Sequence, residues 1–524
     1  MKNKEKLVLI ALSLIILLGV FLRVYHINTA PPGIYPDEAV NGQDALRVLD
    51  DFDNFQWFYP DNDGREGLFM NLVTVSFAFF GVSAFSLKLP AIIFGILAIL
   101  GTYLLAREMF KSDRLALLAA FFGAVSFVSV NFSRISFRAN MLPFILVWSF
   151  YFLFLGLNSK KTIHFVLAGI FFGLGMHSYI AFRLAPFILV GALPFLFLAK
   201  KDFIKDFCKP IGMFIISFII IALPMFYTFY IHPEYFWSRP NHVSVFSPEI
   251  SKGHPWKMLL NNIELSFLKY NFIPDNNWRN SFPPFPVLNP ALGVLFLLGM
   301  FSSIIIFGRS LWARLANKTY SNNLIIHAVL LLWFFVMLVP EFMTAEGLPH
   351  ALRAIGTLPV VYIWAAFFVG FILKKVEENI LWGKKIIYGF FIFVILFIGV
   401  FDTAKYHFFW ANNIQTARSF EKNITDAAYY INTLPPEKEV YAVLGNMQRV
   451  VVRMFNWNES NFHDLSPFEL DKINPKNIKE IVIVFSDYRK DEIIKELSAR
   501  FGEMQLRTIE DAQGLKYYIL EKIN

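Results

Sequence analysis

The sequence predicts an all-α polytopic membrane protein of about eleven transmembrane helices with a small α/β domain at its C-terminal end. Three observations carry that expectation. Hydrophobic residues fill 56% of the 524 positions and charged residues only 17%, with a mean hydropathy of +0.49, a balance foreign to soluble globular chains. Apolar runs without acid or base recur along the first 400 or so residues. Most approach the ~20 residues a spanning helix needs once uncharged polar flanks are added. Beyond residue 403 the hydropathy falls and short strand and helix patterns take over.

The first run, 7–22, follows Lys2, Lys4 and Lys6. Its apolar core is long and no small-x-small cleavage pattern precedes Arg23, so it reads as an uncleaved first span. A polar stretch, 26–66, forms the first external loop. The next run, GLFMNLVTVSFAFFGVSAFSL at 67–87, holds Asn, Thr, Ser and two glycines, and is expected to lie along or dip into the outer leaflet. Ten runs follow as spans: 91–106, 115–130, 141–157, 165–176, 184–199, 211–231, 291–308, 328–340, 354–373 and 386–401.

The loops at 107–114, 158–162, 200–210, 309–323 and 374–385 carry 16 Lys and Arg between them. Those at 131–140, 177–183 and 341–353 carry four, and 232–289 carries five. Positive loops stay cytoplasmic, so the alternation puts the N-terminus inside and the C-terminal domain outside, in a cell membrane. If 67–87 crossed, every later basic loop would fall on the wrong side.

The stretch 232–290 contains nine prolines and several aromatics and reads as an ordered external loop. Residues 1–403 are taken as the membrane domain and 404–524 as the soluble one. There, a helical pattern at 418–434, the runs EVYAVLG and EIVIVF, a charged helix at 489–501 and a final KYYILEKI indicate a small α/β layer. The single cysteine, Cys208, excludes an intrachain disulfide, and no Cys/His cluster offers a metal site. The net charge of +8 resides mainly in the basic loops, with no aromatic-interleaved patch, so nucleic acid is not an expected partner.

This topology gathers Asp37, Glu38, Arg65, Glu66, Arg134, Arg138, Asn140, His177, Arg183, Glu341, Glu346, His350 and Arg353 on the outer side. In PPGIYPDEAVNGQDAL (31–46), the pair Asp37-Glu38 suits a helix start, because proline fits the first turn and acids there complement the dipole. The company of Arg65-Glu66 and of SRISFRAN (133–140) favours chemistry at the membrane surface instead.

Taken together with GREGLFMNLVTVSFAFFGVSAFSLKLPAIIFG, SRISFRANMLPFIL and GLGMHSYIAFRLAP, that stretch resembles the protein O-mannosyltransferase and aminoarabinose transferase superfamily. This is glycosyltransferase family 39 and its bacterial relatives, of the GT-C fold. The resemblance covers roughly residues 5–370. It implies an integral membrane enzyme that takes a sugar from a polyprenyl phosphate and transfers it, with inversion, to a lipid, glycan or protein acceptor outside the cytoplasm. Asp37 matches the family's catalytic first-loop aspartate. Arg65-Glu66-Gly67 stands where many members have an acid and a lysine before proline, and Asn140 stands where they carry a second aspartate.

The chemistry asks for such groups in its own right. An acceptor hydroxyl must lose its proton as it attacks, and a carboxylate can take it; Asp37 is the candidate, with Glu38 beside it. A phosphate leaving group needs cations or a metal to hold its developing charge. Arg183 and Arg138, at the outer ends of spans, can supply that charge. Asp37 and Glu38 could also help bind a divalent ion. His177 and Tyr179 could hydrogen-bond sugar or phosphate, and Arg65, Glu66, Asn140, His350 and Arg353 complete the candidate substrate-binding set. A transporter would need ionisable groups near the membrane midplane, which the predicted spans lack. A lipid-linked oligosaccharide ligase stays open as an alternative.

Overall fold

A computed structural model describes residues 2–62, 64–317, 319–345, 347–379, 383–475 and 480–522. Helix α1 (Lys2–Val24) is the first apolar helix, and α2 (Pro36–Asp50) is a short helix in the first loop. A two-stranded hairpin, β1 (Phe58–Tyr59) and β2 (Arg65–Glu66), leads into α3 (Leu68–Phe80). The bundle continues with α4 (Ala84–Phe110), α5 (Asp113–Val125), α6 (Phe127–Phe132), α7 (Met141–Ser159), α8 (Thr162–Leu174), α9 (Ala185–Ala199) and α10 (Phe203–Ile231). Among the described residues nine helices are long and apolar enough to cross a membrane. Two further helices among the described residues are apolar but shorter, Leu68–Phe80 and Thr162–His177.

The five basic loops meet at one end. Asn158 donates to Glu108, Lys160 pairs with Asp206, Lys200 donates to Asn322 and Arg114 pairs with Glu377. The remaining loops interlock at the opposite end, so the sorting of loops by charge is also a sorting in space. Helix α3 stays at that second end. Its Thr74 hydroxyl donates to Ala45 of α2 at 3.1 Å, and Ser76 donates to Ser86, in the first turn of α4, at 2.6 Å. The chain then turns at Gly81, whose φ of +71° suits glycine. The run at 67–87 therefore forms a short helix held at that end by these contacts.

The proline-rich stretch is ordered. It forms α11 (Pro233–Val243), α12 (Pro248–Ser251) and α13 (Pro255–Leu268), each opening on a proline whose fixed φ and missing N–H suit a helix start. Helices α14 (Pro290–Asn317), α15 (Asn322–Phe342), α16 (Leu358–Asn379) and α17 (Lys384–Ala404) complete the bundle, and helical backbone continues from α17 to Trp410.

In the C-terminal domain, α18 (Ile414–Ser419), α19 (Lys422–Ile431), β3 (Glu439–Val443), α20 (Asn446–Phe455), β4 (Phe462–Leu465), β5 (Ile481–Phe485), α21 (Lys490–Phe501), β6 (Met504–Glu510) and β7 (Lys516–Lys522) follow. The sheet order is β4-β3-β5-β7-β6, with β4, β3 and β5 parallel and β7 antiparallel to both its neighbours. Strands β4 and β6 and helix α20 go beyond the sequence reading. Both strands are sheet edges and poorly buried, so neither shows a continuous apolar run.

One sheet face, with Val440, Ala442, Val482 and Ile519, shares a core with α19, α20 and the membrane domain. The other face packs on Ile493 and Leu497 of α21. Helix α2 is the seam between domains. A Cβ on its Gly42 would sit 2.3 Å from the sulfur of Met454, so a larger residue there would make the Met454 side chain or α20 shift.

Candidate active site

Adjacent charges in the first loop point in different directions, and backbone geometry decides where. Arg65 and Glu66 lie on strand β2, so their side chains leave by opposite faces. Arg65 turns toward α2. It forms a buried ion pair with Asp44 at 2.6 Å and donates to Asn41 at 2.9 Å. Glu66 turns toward the bundle, where Arg138 donates to it at 2.9 Å and Arg183 at 3.5 Å. Burial opposes ionisation of Glu66, yet the charges of Arg138 and Arg183 hold its carboxyl below the ordinary carboxylate value.

Asp37 and Glu38 divide in the same way on the first turn of α2. Glu38 is fully buried and accepts the backbone N–H of Tyr35 at 3.2 Å and of Ser136 at 2.6 Å. It joins the first loop to 133–140, and burial raises its carboxyl above the usual range. Asp37 is half-buried and receives a hydrogen bond from Asn62 at 3.2 Å. Of the two acids proposed for chemistry, Asp37 presents a carboxylate to an incoming group, whereas both oxygens of Glu38 are engaged by the backbone.

Several other expected contacts are likewise committed to the protein. Asn140 donates to Ala91 at 2.7 Å, and the buried His177 ring nitrogen Nε2 bonds the Ile221 carbonyl at 2.9 Å. His350 lies in a clasp with Asp275, Asn280 and Glu341; its backbone N–H donates to Glu341 at 2.9 Å. Glu341, one of the residues gathered on the outer side in the sequence reading, forms a buried ion pair with Lys269. Arg134 is also buried, donating to the carbonyls of Leu22, Tyr25 and Ala30, where it ties off the end of α1. Glu346 lies outside the described residues.

Tyr179, Arg183 and Arg353 remain together. They line a groove of about 310 Å³ whose walls include Phe236, Trp237, Pro340 and Met343. Arg183 donates to the Phe236 carbonyl at 2.6 Å and its guanidinium lies 4.5 Å from the Phe236 ring centroid. Arg138, 5.8 Å from the Tyr179 ring, links this groove through Glu66 and Gly64 to the turn carrying Asn62 and hence to Asp37. The arrangement pairs an accessible carboxylate with cations on an apolar trough. A larger cavity of about 920 Å³ lies at the basic end, among Lys4, Lys111, Arg114 and Glu377, away from every one of these groups.

Arg279 escaped the sequence reading. Its guanidinium stacks 3.9 Å from the Tyr35 ring centroid, and the Tyr35 hydroxyl feels the charges of Arg279, Asp37 and Glu421 together. The large loop and the C-terminal domain thus both reach the neighbourhood of Asp37. Nothing in the sequence near Arg279 marks it, because its partner is 244 positions away. Among the described residues no group of three or more His, Cys, Asp or Glu gathers as a metal site.

Residues 68–231 match the family model of dolichyl-phosphate-mannose-protein mannosyltransferases. The chain is similar in structure to the archaeal oligosaccharyltransferase AglB from Archaeoglobus fulgidus in complex with an inhibitory peptide and a dolichol-phosphate. The TM-score is 0.57 at 15% identity, over 98% of this chain and 74% of that one. It is also similar to ArnT from Cupriavidus metallidurans in the apo state, with TM-score 0.56 and 12% identity over 99% and 98% of the two chains. ArnT bound to undecaprenyl phosphate gives 0.51 at 12% identity, over 98% and 97%. No curated protein matches the sequence. The fold is that of GT-C membrane proteins, as the four quoted stretches imply, and the family model over 68–231 bears out the expectation of a glycosyltransferase.

Proposed function

We propose that this GT-C membrane glycosyltransferase moves a sugar from a polyprenyl-phosphate donor to an acceptor hydroxyl on the extracytoplasmic side, with inversion and with Asp37 as general base. The observation that carries the reading is the groove: two arginines set in an apolar trough, joined through Glu66 and Arg138 to the turn beside a half-exposed carboxylate. A polyprenyl phosphate has that composition, an anion on a hydrocarbon chain. The dolichol-phosphate held by AglB and the undecaprenyl phosphate held by ArnT support the same choice.

In the proposed step the acceptor oxygen forms a bond to the anomeric carbon and gives its proton to Asp37. The bond from that carbon to the phosphate oxygen breaks, and its electron pair leaves with the phosphate. Arg183 and Arg353, with Arg138 behind them, stabilise the charge that develops there. The donor, a sugar on a polyprenyl phosphate, separates this reading from that of a lipid-linked oligosaccharide ligase.

Binding of undecaprenyl phosphate to the purified protein tests the groove. Arg183→Ala should weaken it by roughly 1.5 to 3 kcal/mol, the value of a charge-assisted hydrogen bond. Unchanged affinity would remove Arg183 from the donor site. Orientation has its own test in a Cys208-free background. A cysteine at Ser159, in a basic loop, should resist an impermeant thiol reagent in intact cells while one at Ser460 reacts, and labelling at Ser159 would reverse the assignment.

A further inference from the structure

The C-terminal domain holds a second cavity, of about 280 Å³, where the ends of α19 and α20 meet the starts of β3 and β4. Asn432, Asn456, Asn461, Glu459, Phe455 and Phe462 line it. Each asparagine spends one of its two amide N–H groups on the backbone: Asn432 on Phe455 at 3.3 Å, Asn456 on Val452 at 2.8 Å and Asn461 on Lys438 at 2.8 Å. Those bonds fix the orientation of the amides and leave each with its oxygen acceptor and one N–H donor. Asn456 is buried to 3% exposure, so its amide belongs to the cavity wall and not to an open surface. With the exposed Glu459 carboxylate, the cavity is rich in hydrogen-bond acceptors and flanked by two aromatic rings.

A ligand that satisfies such a lining has several O–H donors along its edge and an apolar C–H face for the rings. We propose that this cavity binds a sugar residue of a glycan, at a site separate from the catalytic one. Its rim is anchored to the membrane domain, since Trp457 and Asn458 both donate to Asp50 at the end of α2, at 2.6 and 2.8 Å. Asp37 lies at the other end of that helix, about 20 Å away at 1.5 Å per residue. A glycan a few units long could therefore be retained by the C-terminal domain while another part of it, or a second molecule, is served at Asp37.

The test is saturation-transfer NMR on the full chain in nanodiscs, with methyl α-mannopyranoside, methyl β-glucopyranoside and methyl β-galactopyranoside as probes. At least one should receive saturation on its ring protons. Glu459→Ala, at an exposed position that folding does not need, should weaken that binding roughly tenfold, as the loss of one hydrogen bond to a charged group predicts. Asp37→Asn should leave it unchanged, which separates this site from the donor site and makes the result independent of the proposed reaction. Absence of transfer to all three sugars would overturn the proposal. So would binding that survives Glu459→Ala, or binding that disappears with Asp37→Asn.

Discussion

The two ends of the bundle handle charge in opposite ways. At the basic end the pairs are wet: Arg107–Asp113 leaves 53% and 26% of its side chains exposed, and Lys160–Asp206 leaves 61% and 29%. At the other end Arg65–Asp44 is 2% exposed on both sides, Arg138–Glu66 is 11% and 3%, and Lys269–Glu341 is 1% and 0%. Burying ions costs free energy that hydrophobic packing would not, so buried pairs are poor evidence of selection for stability alone. Arg138–Glu66 adjoins the groove through Arg183, and Arg65–Asp44 ties β2 to the helix that carries Asp37, so these pairs point to positioning. The basic end needs only to keep its loops on one side of the membrane, which exposed lysines do without fixed partners.

If that contrast is correct, substitutions at the end opposite the basic loops should act on chemistry first. Asp37→Asn keeps size and the contact with Asn62 but removes the proposed base. Turnover with a polyprenyl-phosphate sugar should fall on the order of 100-fold to 10,000-fold, with folding intact. A fully active Asp37→Asn protein would leave Asp37 as a helix-start acid, a role asparagine fills nearly as well.

The next effect is on stability. Glu66→Gln leaves Arg138 and Arg183 without their shared countercharge in a buried setting, and should destabilise the fold by about 3 to 5 kcal/mol. Chemical unfolding in detergent measures this, and a loss of less than about 1 kcal/mol would put Glu66 in the same class as the exposed pairs.

Sequence and structure agree where the signal is collective. Hydropathy and the Lys and Arg alternation each average over many residues, so the apolar helices and the gathering of the basic loops at one end were legible. Individual roles were less so. Asp37 and Glu38 look alike in the chain and only helix geometry buries Glu38, while strand geometry sends the buried Arg65 and Glu66 to opposite faces. The Lys269–Glu341 clasp and Arg279 were missed because their meaning lies in partners dozens to hundreds of positions away.

A smaller effect follows from pH. The Glu66 carboxyl is held below its ordinary value of 4.5 in the folded state. A depressed acid contributes stability that is complete above the unfolded value and is lost as pH falls through the folded one. The wild type should therefore lose stability below about pH 4.5 more steeply than Glu66→Gln, which has no carboxylate to protonate at this position. Parallel curves for the two proteins across that range would mean that Arg138 and Arg183 do not hold Glu66 ionised.

The smallest effect belongs to the basic end and tests the contrast from its other side. Lys160→Ala removes the partner of Asp206 where both side chains reach water, so the charge left behind is solvated and not stranded. Exposed pairs of this kind contribute about 0.2 to 1 kcal/mol, and screening by salt reduces that further. Unfolding should shift by no more than this, the shift should shrink as ionic strength rises, and turnover should stay at the wild-type level. Loss of turnover in Lys160→Ala at unchanged stability would break the contrast, because it would couple the basic end to the chemistry at the opposite face of the bundle.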